Sequence, residues 1–320
     1  MCKPTVMVES RGRADGLLII ALVVVGLALL VTARLGARPQ VPGPSDSAAA
    51  TPTTTPANIP SGTPHEILLA VGDIGYCDSS TDDQVGELAA RLPGTIALLG
   101  DIAYPRGSSG DFANCFDPAW GDLGDRLRPV PGNHEYETKR ASGYFSYFGL
   151  EAGDPAEGWY SYDLGGWHLV ALNSVCDAIG GCGRGSRQLA WLVADLEAHP
   201  VACTLAYWHH PRYSSGRHGD DDMTDALWDA LAAANADVVL FGHDHDYERM
   251  ASIDGMRSFV VGTGGRSLYA WPEEPGPQTE VRANDTYGLL ELRLAAAAYS
   301  WRFVPAGGGS FTDAGSGACH

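Results

Sequence analysis

The chain has 320 residues, 45% of them apolar, enough to bury a substantial core and too many for a disordered polymer. Its 21 basic residues face 39 acidic ones, a net charge of −18. So negative a molecule repels a phosphate backbone, which argues against nonspecific nucleic-acid binding and leaves metal cations and small molecules as the expected partners.

Residues 16–33 (GLLIIALVVVGLALLVTA) carry no charge, with Lys3, Arg11 and Arg13 before them and Arg34 and Arg38 after. The run lies between a signal-peptide core of about 7–15 residues and a full span of about 20, so it reads as membrane-directing, as an anchor or as a cleaved signal. Leu35 stands where a cleavage site wants a small residue, which favours the anchor. Residues 1–38 are assigned to this segment and 39–64, rich in Pro, Thr and Ala, to a linker that cannot bury enough surface to order itself. The folded part is expected over 65–320.

There, apolar runs stop abruptly at polar residues: Ile67 to Val71 before Gly72-Asp73, Thr95 to Leu99 before Gly100-Asp101, and Arg128 to Val130 before Pro131-Gly132-Asn133-His134. Further along, Cys203 to Trp208 runs into His209-His210, and Val238 to Phe241 into Gly242-His243-Asp244-His245. Helical periodicity occupies 81–92, 186–198 and 221–234 between them. The alternation defines an α/β class. Additional β-like stretches at 158–163, 166–172, 258–261, 288–294 and 299–304 are too many for one parallel sheet, so two packed mixed sheets flanked by helices are expected.

Six cysteines (Cys77, Cys115, Cys176, Cys182, Cys203 and Cys319) fall in the folded part, an even number that suits an oxidising compartment. Cys176 and Cys182 flank a glycine-rich loop and are the first candidates to pair; Cys77 with Cys115 and Cys203 with Cys319 follow by elimination. No Cys-x-x-Cys zinc spacing occurs.

Ligands in α/β folds bind beyond the carboxyl ends of strands. Each motif alone has an ordinary explanation, since Gly-Asp after a strand is commonly a turn and a histidine commonly a surface residue. Their conjunction is different: Asp73, Asp101, Asn133, His209, His243 and His245 all stand where an apolar run ends, and together they offer oxygen and imidazole donors without thiolate. Gly262-Thr263-Gly264-Gly265 lacks the lysine and helix of a phosphate loop and reads as a tight turn near the site. Tyr144, Phe145, Tyr147 and Phe148 read as packing residues more than as pocket lining. His65, His168, His199 and His320 have no partner recognisable in the sequence.

In order, Asp73-Ile74-Gly75, Gly100-Asp101, Gly132-Asn133-His134-Glu135, His209 and Gly242-His243-Asp244-His245 resemble the signature of the calcineurin-like metallophosphoesterases. Position 75 departs from it, with glycine where the general pattern has histidine, and Tyr104 follows three residues after Asp101. That combination is similar to the purple acid phosphatase branch, in which a tyrosinate takes the vacated coordination position. The resemblance covers about His65 to Val304 and implies a four-layer sandwich of two sheets between helices. It also implies two metal ions, one held by Asp73, Tyr104 and His245, the other by Asn133, His209 and His243, with Asp101 bridging. Iron(III) at the first site and divalent iron, zinc or manganese at the second are the expected cofactors. Catalytic roles carry over to Asp101, to His134 as hydrogen-bond or proton donor, and to His218 as a phosphate contact.

The implied activity is hydrolysis of small phosphate monoesters by a metal-activated hydroxide, outside the cytoplasm, with the membrane as a further partner through the leading segment. Two other readings stay open at this level: a phosphodiesterase on the same metal core, for example on cyclic nucleotides, and a surface binding module that keeps the fold without catalysis.

Overall fold

The computed structural model describes residues 62–77, 79–271 and 274–320. The membrane-directing segment and nearly all of the linker lie outside these. Among the described residues, no helix is long and apolar enough to cross a membrane.

Thirteen strands among the described residues form two mixed sheets. β1 (Glu66–Val71), β2 (Thr95–Leu99) and β3 (Leu127–Val130) run parallel in the first, which continues antiparallel through β11 (Gly288–Ala295), β12 (Ala298–Pro305) and β13 (Ala314–Ala318). Its order is β13-β12-β11-β1-β2-β3. In the second sheet β5 (Trp167–Ala171), β6 (Cys203–Tyr207), β7 (Val238–Phe241) and β9 (Arg257–Val261) are parallel. β4 (Tyr160–Leu164), β8 (Tyr247–Met250) and β10 (Thr279–Ala283) pair antiparallel with their neighbours, giving the order β10-β8-β9-β7-β6-β5-β4.

The central strands are continuously apolar because both of their faces are covered. Leu68, Ala70 and Leu99 point inward against Leu205, Tyr207, Leu240 and Phe259 of the other sheet. Leu69 and Val71 alternate outward, against Val85 and Ala89 of the helix Thr81–Arg91 and against Phe116 and Trp120. Val170 and Val239 meet Leu192 and Trp228 from the helices Arg187–Ala198 and Asp225–Ala233. Two mixed sheets between helical layers are thus the architecture. The last helix begins four residues later than its periodicity suggests, because the Asp221 side chain accepts the Met223 N–H and caps a short 3-10 turn first.

All three cysteine pairs are disulfides, with Cα separations of 4.5 Å for Cys77–Cys115, 5.2 Å for Cys176–Cys182 and 5.3 Å for Cys203–Cys319. The aromatic set divides: Tyr144 is fully buried and stacks edge-on with Phe145, while Tyr147 and Phe148 pack on Phe112 and Phe116. Of the four, Phe145 also borders a cavity of about 870 Å³, beside Tyr136 and Arg140.

Candidate metal centre

The five polar strand ends converge at one edge of the two sheets. Backbone hydrogen bonds tie them: Asp73 N–H to Gly100 O (3.1 Å) at the end of the first sheet, Gly242 N–H to His209 O (3.0 Å) at the end of the second, and Gly72 N–H to Val261 O (2.9 Å) from the first sheet to the second. Asp73 (φ 59°), Asp101 (φ 47°) and His243 (φ 72°) adopt the left-handed region, at about 1–2 kcal/mol each for a residue with a Cβ. Three of the seven non-glycine residues with positive φ among the described residues are therefore candidate ligands. Gly100 (φ 83°) precedes Asp101, and a Cβ there would lie 2.6 Å from His209 Nδ1, so the His209 ring seats only against glycine.

Glu135, given no role from sequence, holds two of these ends together. Its buried carboxylate accepts N–H groups from Gly132 (2.8 Å), Asp101 (3.0 Å), Ile102 (2.9 Å) and Ala103 (3.3 Å). Burial and the neighbouring Asp101 charge push its pKa up to about 7.

The side chains meet within hydrogen-bonding distances. Tyr104 Oη lies 2.9 Å from Asp73 Oδ1, 3.1 Å from Asp101 Oδ2 and 3.1 Å from His245 Nε2. His245 Nε2 is 3.3 Å from Asp73 Oδ1, His209 Nε2 is 3.4 Å from Asp101 Oδ1, and His243 Nδ1 is 3.2 Å from His209 Nε2. His209 Nδ1 and His245 Nδ1 lie 2.8 Å from the Leu99 and Ser267 carbonyls. Those contacts place the ring proton on Nδ1 and turn each Nε2 lone pair inward. Asn133 sits next to His134, whose N–H donates to Asp101 Oδ1 at 2.9 Å. Its own Oδ1 is buried and has no hydrogen-bond partner.

The arrangement gathers acceptors that hold protons on His209 and Tyr104. Burial works against an ionised Asp101, yet the adjacent His209 ring holds its carboxyl well below the usual range. Asp101 in turn lifts His209 to about 9 against burial. Burial and His209 press His243 down, and His210 to about 3. The Tyr104 hydroxyl is driven well above its ordinary value by burial and by the charges of Asp101 and Asp73. A buried set of carboxylates, inward imidazole lone pairs and an orphaned amide oxygen fits bound cations, which would satisfy Asn133 Oδ1 and reverse the field on Tyr104.

The remaining sequence candidates border this cluster. The His134 ring centroid lies 4.5 Å from that of Tyr104 and its Nε2 3.7 Å from Asp101 Oδ2. His218 lies 4.3 Å, ring to ring, from His243. His210 hydrogen-bonds Ser174 Oγ (2.8 Å), beside His243. The 262–265 turn lies against Asp73: a Cβ at Gly262 would come within 2.9 Å of its Oδ2, and Arg266 N–H donates to Asp73 O at 3.0 Å.

Sequence reasoning missed Tyr269, whose ring stacks on His245 at 4.0 Å and 10°, and Asp244, whose carboxylate accepts Ser214 Oγ (2.5 Å) and His218 N–H (2.8 Å). Asp244 lies inside the Gly-His-x-His segment and only its burial marks it; Tyr269 follows the glycine turn without any motif.

The histidines left unassigned have structural partners. His168 lies between Asp163 (3.0 Å) and Asp195 (2.8 Å), His199 beside Asp195, His320 on Asp237 (3.0 Å) and His65 on Thr63 O (2.8 Å).

Fold and site together define a phosphoesterase with metal-binding character. The family model described as calcineurin-like phosphoesterase matches residues 67–247, and the chain belongs to that family. Among its relatives, Purple acid phosphatase 15 of Arabidopsis thaliana is 29% identical over 256 residues, covering 66% of this chain and 47% of the relative. Human Acid phosphatase type 7 is 30% identical over 202 residues, 52% of this chain and 44% of that one. The chain thus spans about half the length of the curated relatives it matches. The purple acid phosphatase PPD1 from yellow lupin superposes with a TM-score of 0.69 at 16% identity, over 81% of this chain and 55% of that one, a likeness of fold. These relatives place the chain near the purple acid phosphatase branch.

Proposed function

We propose that the chain is a binuclear-metal phosphomonoesterase of the purple acid phosphatase type. One observation carries the reading: buried Asp73, Asp101, Tyr104, His209 and His245 and half-buried His243 meet in one cluster, and Asn133, one residue before His134, whose N–H donates to Asp101, has a buried Oδ1 with no partner. In this reading Asp73, Tyr104 and His245 would hold one ion and Asn133, His209 and His243 the other, with Asp101 available to both. Phenolate and carboxylate donors suit iron(III) at the first position, and the nitrogen-rich second position suits divalent iron, zinc or manganese. Bound there, the two ions would supply Lewis acidity and acidify a water molecule.

The chain's own groups supply orientation and protons. His134 Nδ1 lies 2.6 Å from Pro105 O, so its proton sits on Nδ1, the ring is locked, and Nε2 faces the cluster. Protonated in turn, Nε2 gives a hydrogen bond to the ester's leaving oxygen. His218, tethered by its N–H to Asp244, orients a phosphate oxygen beside His243. In the same reading residues 1–38 direct the chain to the membrane, 39–64 form a linker and 65–320 the catalytic domain, facing an oxidising compartment that preserves its disulfides.

Metal analysis of the purified chain with its visible spectrum tests the centre. Two ions per chain and a tyrosinate-to-iron absorption band that disappears in Tyr104→Phe are expected; a colourless iron-loaded protein would remove Tyr104 from the ligand set. Faster hydrolysis of 4-nitrophenyl phosphate than of bis(4-nitrophenyl) phosphate is expected, and the reverse order would make the chain a diesterase.

A further inference from the structure

His209 and His210 lie in a bend that follows β6. In an extended strand consecutive side chains leave on opposite faces; in the bend the two rings meet edge-on, 4.9 Å apart between centroids. The His210 ring also lies 4.4 Å from that of His243. One ring nitrogen of each of His209, His210 and His243 lies within 4.8 Å of the other two, so three imidazoles converge on one position. His209 Nε2 and His243 Nδ1 face each other at 3.2 Å, while His209 Nδ1 is engaged by the Leu99 carbonyl. A proton or a cation belongs between two such nitrogens, and a nitrogen of His210 is within reach of the same place.

Ser174 sets how His210 stands. Its Oγ accepts the His210 backbone N–H at 2.9 Å and lies 2.8 Å from the ring Nδ1, so one oxygen holds both the main chain and the ring of His210. The segment carrying Ser174 is itself fixed. Asn173 N–H donates to Gln188 Oε1 (2.7 Å), Gln188 Nε2 donates to Asn173 O (2.8 Å), and the Asn173 amide donates to Tyr136 Oη (2.8 Å). Asn173, Ser174 and Gln188 are all fully buried. With Nδ1 engaged, Nε2 is the nitrogen of His210 left for a ligand, and the Ser174 contact has the form of the outer hydrogen bond that orients a metal-binding imidazole.

We propose that His210 is a further ligand of the ion assigned to Asn133, His209 and His243, and that it makes this a zinc position. The inference rests on the binuclear reading above. Three imidazoles favour zinc over manganese, whose preferred donors are carboxylate, carbonyl and water oxygens. With Nε2 on the ion, His210 Nδ1–H donates to Ser174 Oγ, whose two lone pairs then take the ring N–H and the backbone N–H of the same residue.

The test measures zinc and manganese affinity by chelator competition in the iron-loaded chain, in His210→Ala, and in His199→Ala as a control for a histidine outside the centre. Zinc affinity is expected to fall about 100-fold or more in His210→Ala, at or beyond the upper end of an outer-contact loss, and manganese affinity less than about tenfold. The control should bind as the wild type does. Ser174→Ala keeps the ring but frees it, so a loss of about tenfold is expected. Should His210→Ala fail to fold, His210→Gln removes the imidazole while keeping most of its volume. X-ray absorption at the zinc edge of the iron–zinc chain counts the ligands without turnover: three imidazoles in the wild type and two in the variant are expected. Two in both, or a zinc affinity in His210→Ala within about threefold of wild type, overturns the proposal. Asp101→Asn separates it from the reading beneath it. If that variant binds zinc as the wild type does, the binuclear centre falls and the imidazole count still decides His210; if it loses zinc and His210→Ala does not, the centre stands and His210 is removed from it.

Discussion

Asp101 is the residue on which the site's electrostatics turn. It accepts His134 N–H, lies 3.4 Å from His209 Nε2 and accepts the Tyr104 O–H at 3.1 Å. Asp101→Asn keeps the shape and removes the charge, so both metal occupancy and turnover are expected to collapse, the rate by about 10³-fold or more. Elemental analysis beside a phosphatase assay checks this, and a metal-loaded, fully active variant would refute the assignment. His134 is a different case, because its ring bonds Pro105 O and its Nε2 borders Asp101 without a short hydrogen bond to it. His134→Ala should lower kcat by about 10²-fold at unchanged metal content; an unchanged kcat dismisses it. The identities of these residues were readable because each follows an apolar run, whereas Tyr269 follows a glycine turn that carries no distinguishing pattern.

Strand ends are the elements that matter, and Glu135 is the tie between two of them. Four backbone N–H groups end on its carboxylate, and truncation leaves them buried without an acceptor. Glu135→Ala is expected to cost about 3 kcal/mol of stability, measurable by urea denaturation, with Glu135→Gln recovering part of it; a loss below about 0.5 kcal/mol would mean that water replaces the carboxylate. The central strands and long helices were legible from hydrophobic period. β8 was not, since Tyr247-Glu248-Arg249-Met250 mixes charge with apolar residues and is buried only because Glu248 finds Ser214, Ser215 and Thr279 across a loop and a neighbouring strand. β13, Ala-Gly-Ser-Gly-Ala, has no hydrophobic pattern at all and forms because β12 offers an open edge, with Trp301 and Tyr299 lying over Gly315 and Gly317.

At the scale of the whole molecule, the second sheet carries a pH-dependent clamp far from the site in sequence. Burial disfavours charge on His168, but hydrogen bonds to Asp195 and Asp163 outweigh it and raise its pKa above 6.5, while burial of Asp195 is outweighed by His168 and Ser161, which lower it below 3.8. The charged ring stabilises fully below its unfolded value of 6.5 and ceases to do so as pH rises through the raised folded value. The Asp195 contribution is complete above 3.8 and fades as pH falls through its lowered value. Thermal unfolding of His168→Gln should therefore show its largest deficit between pH 4 and pH 6.5 and a narrowing gap above; a deficit independent of pH would mean the ring is neutral throughout. What the sequence determined by itself was the order of layers and the donors at each strand end, because hydrophobic period and the residue after it are local properties. Which loops meet was decided by the tertiary structure: Tyr269 against His245 and Asp244 beneath the 214–218 loop are contacts between segments far apart along the chain, and such contacts exist only once both sheets have packed.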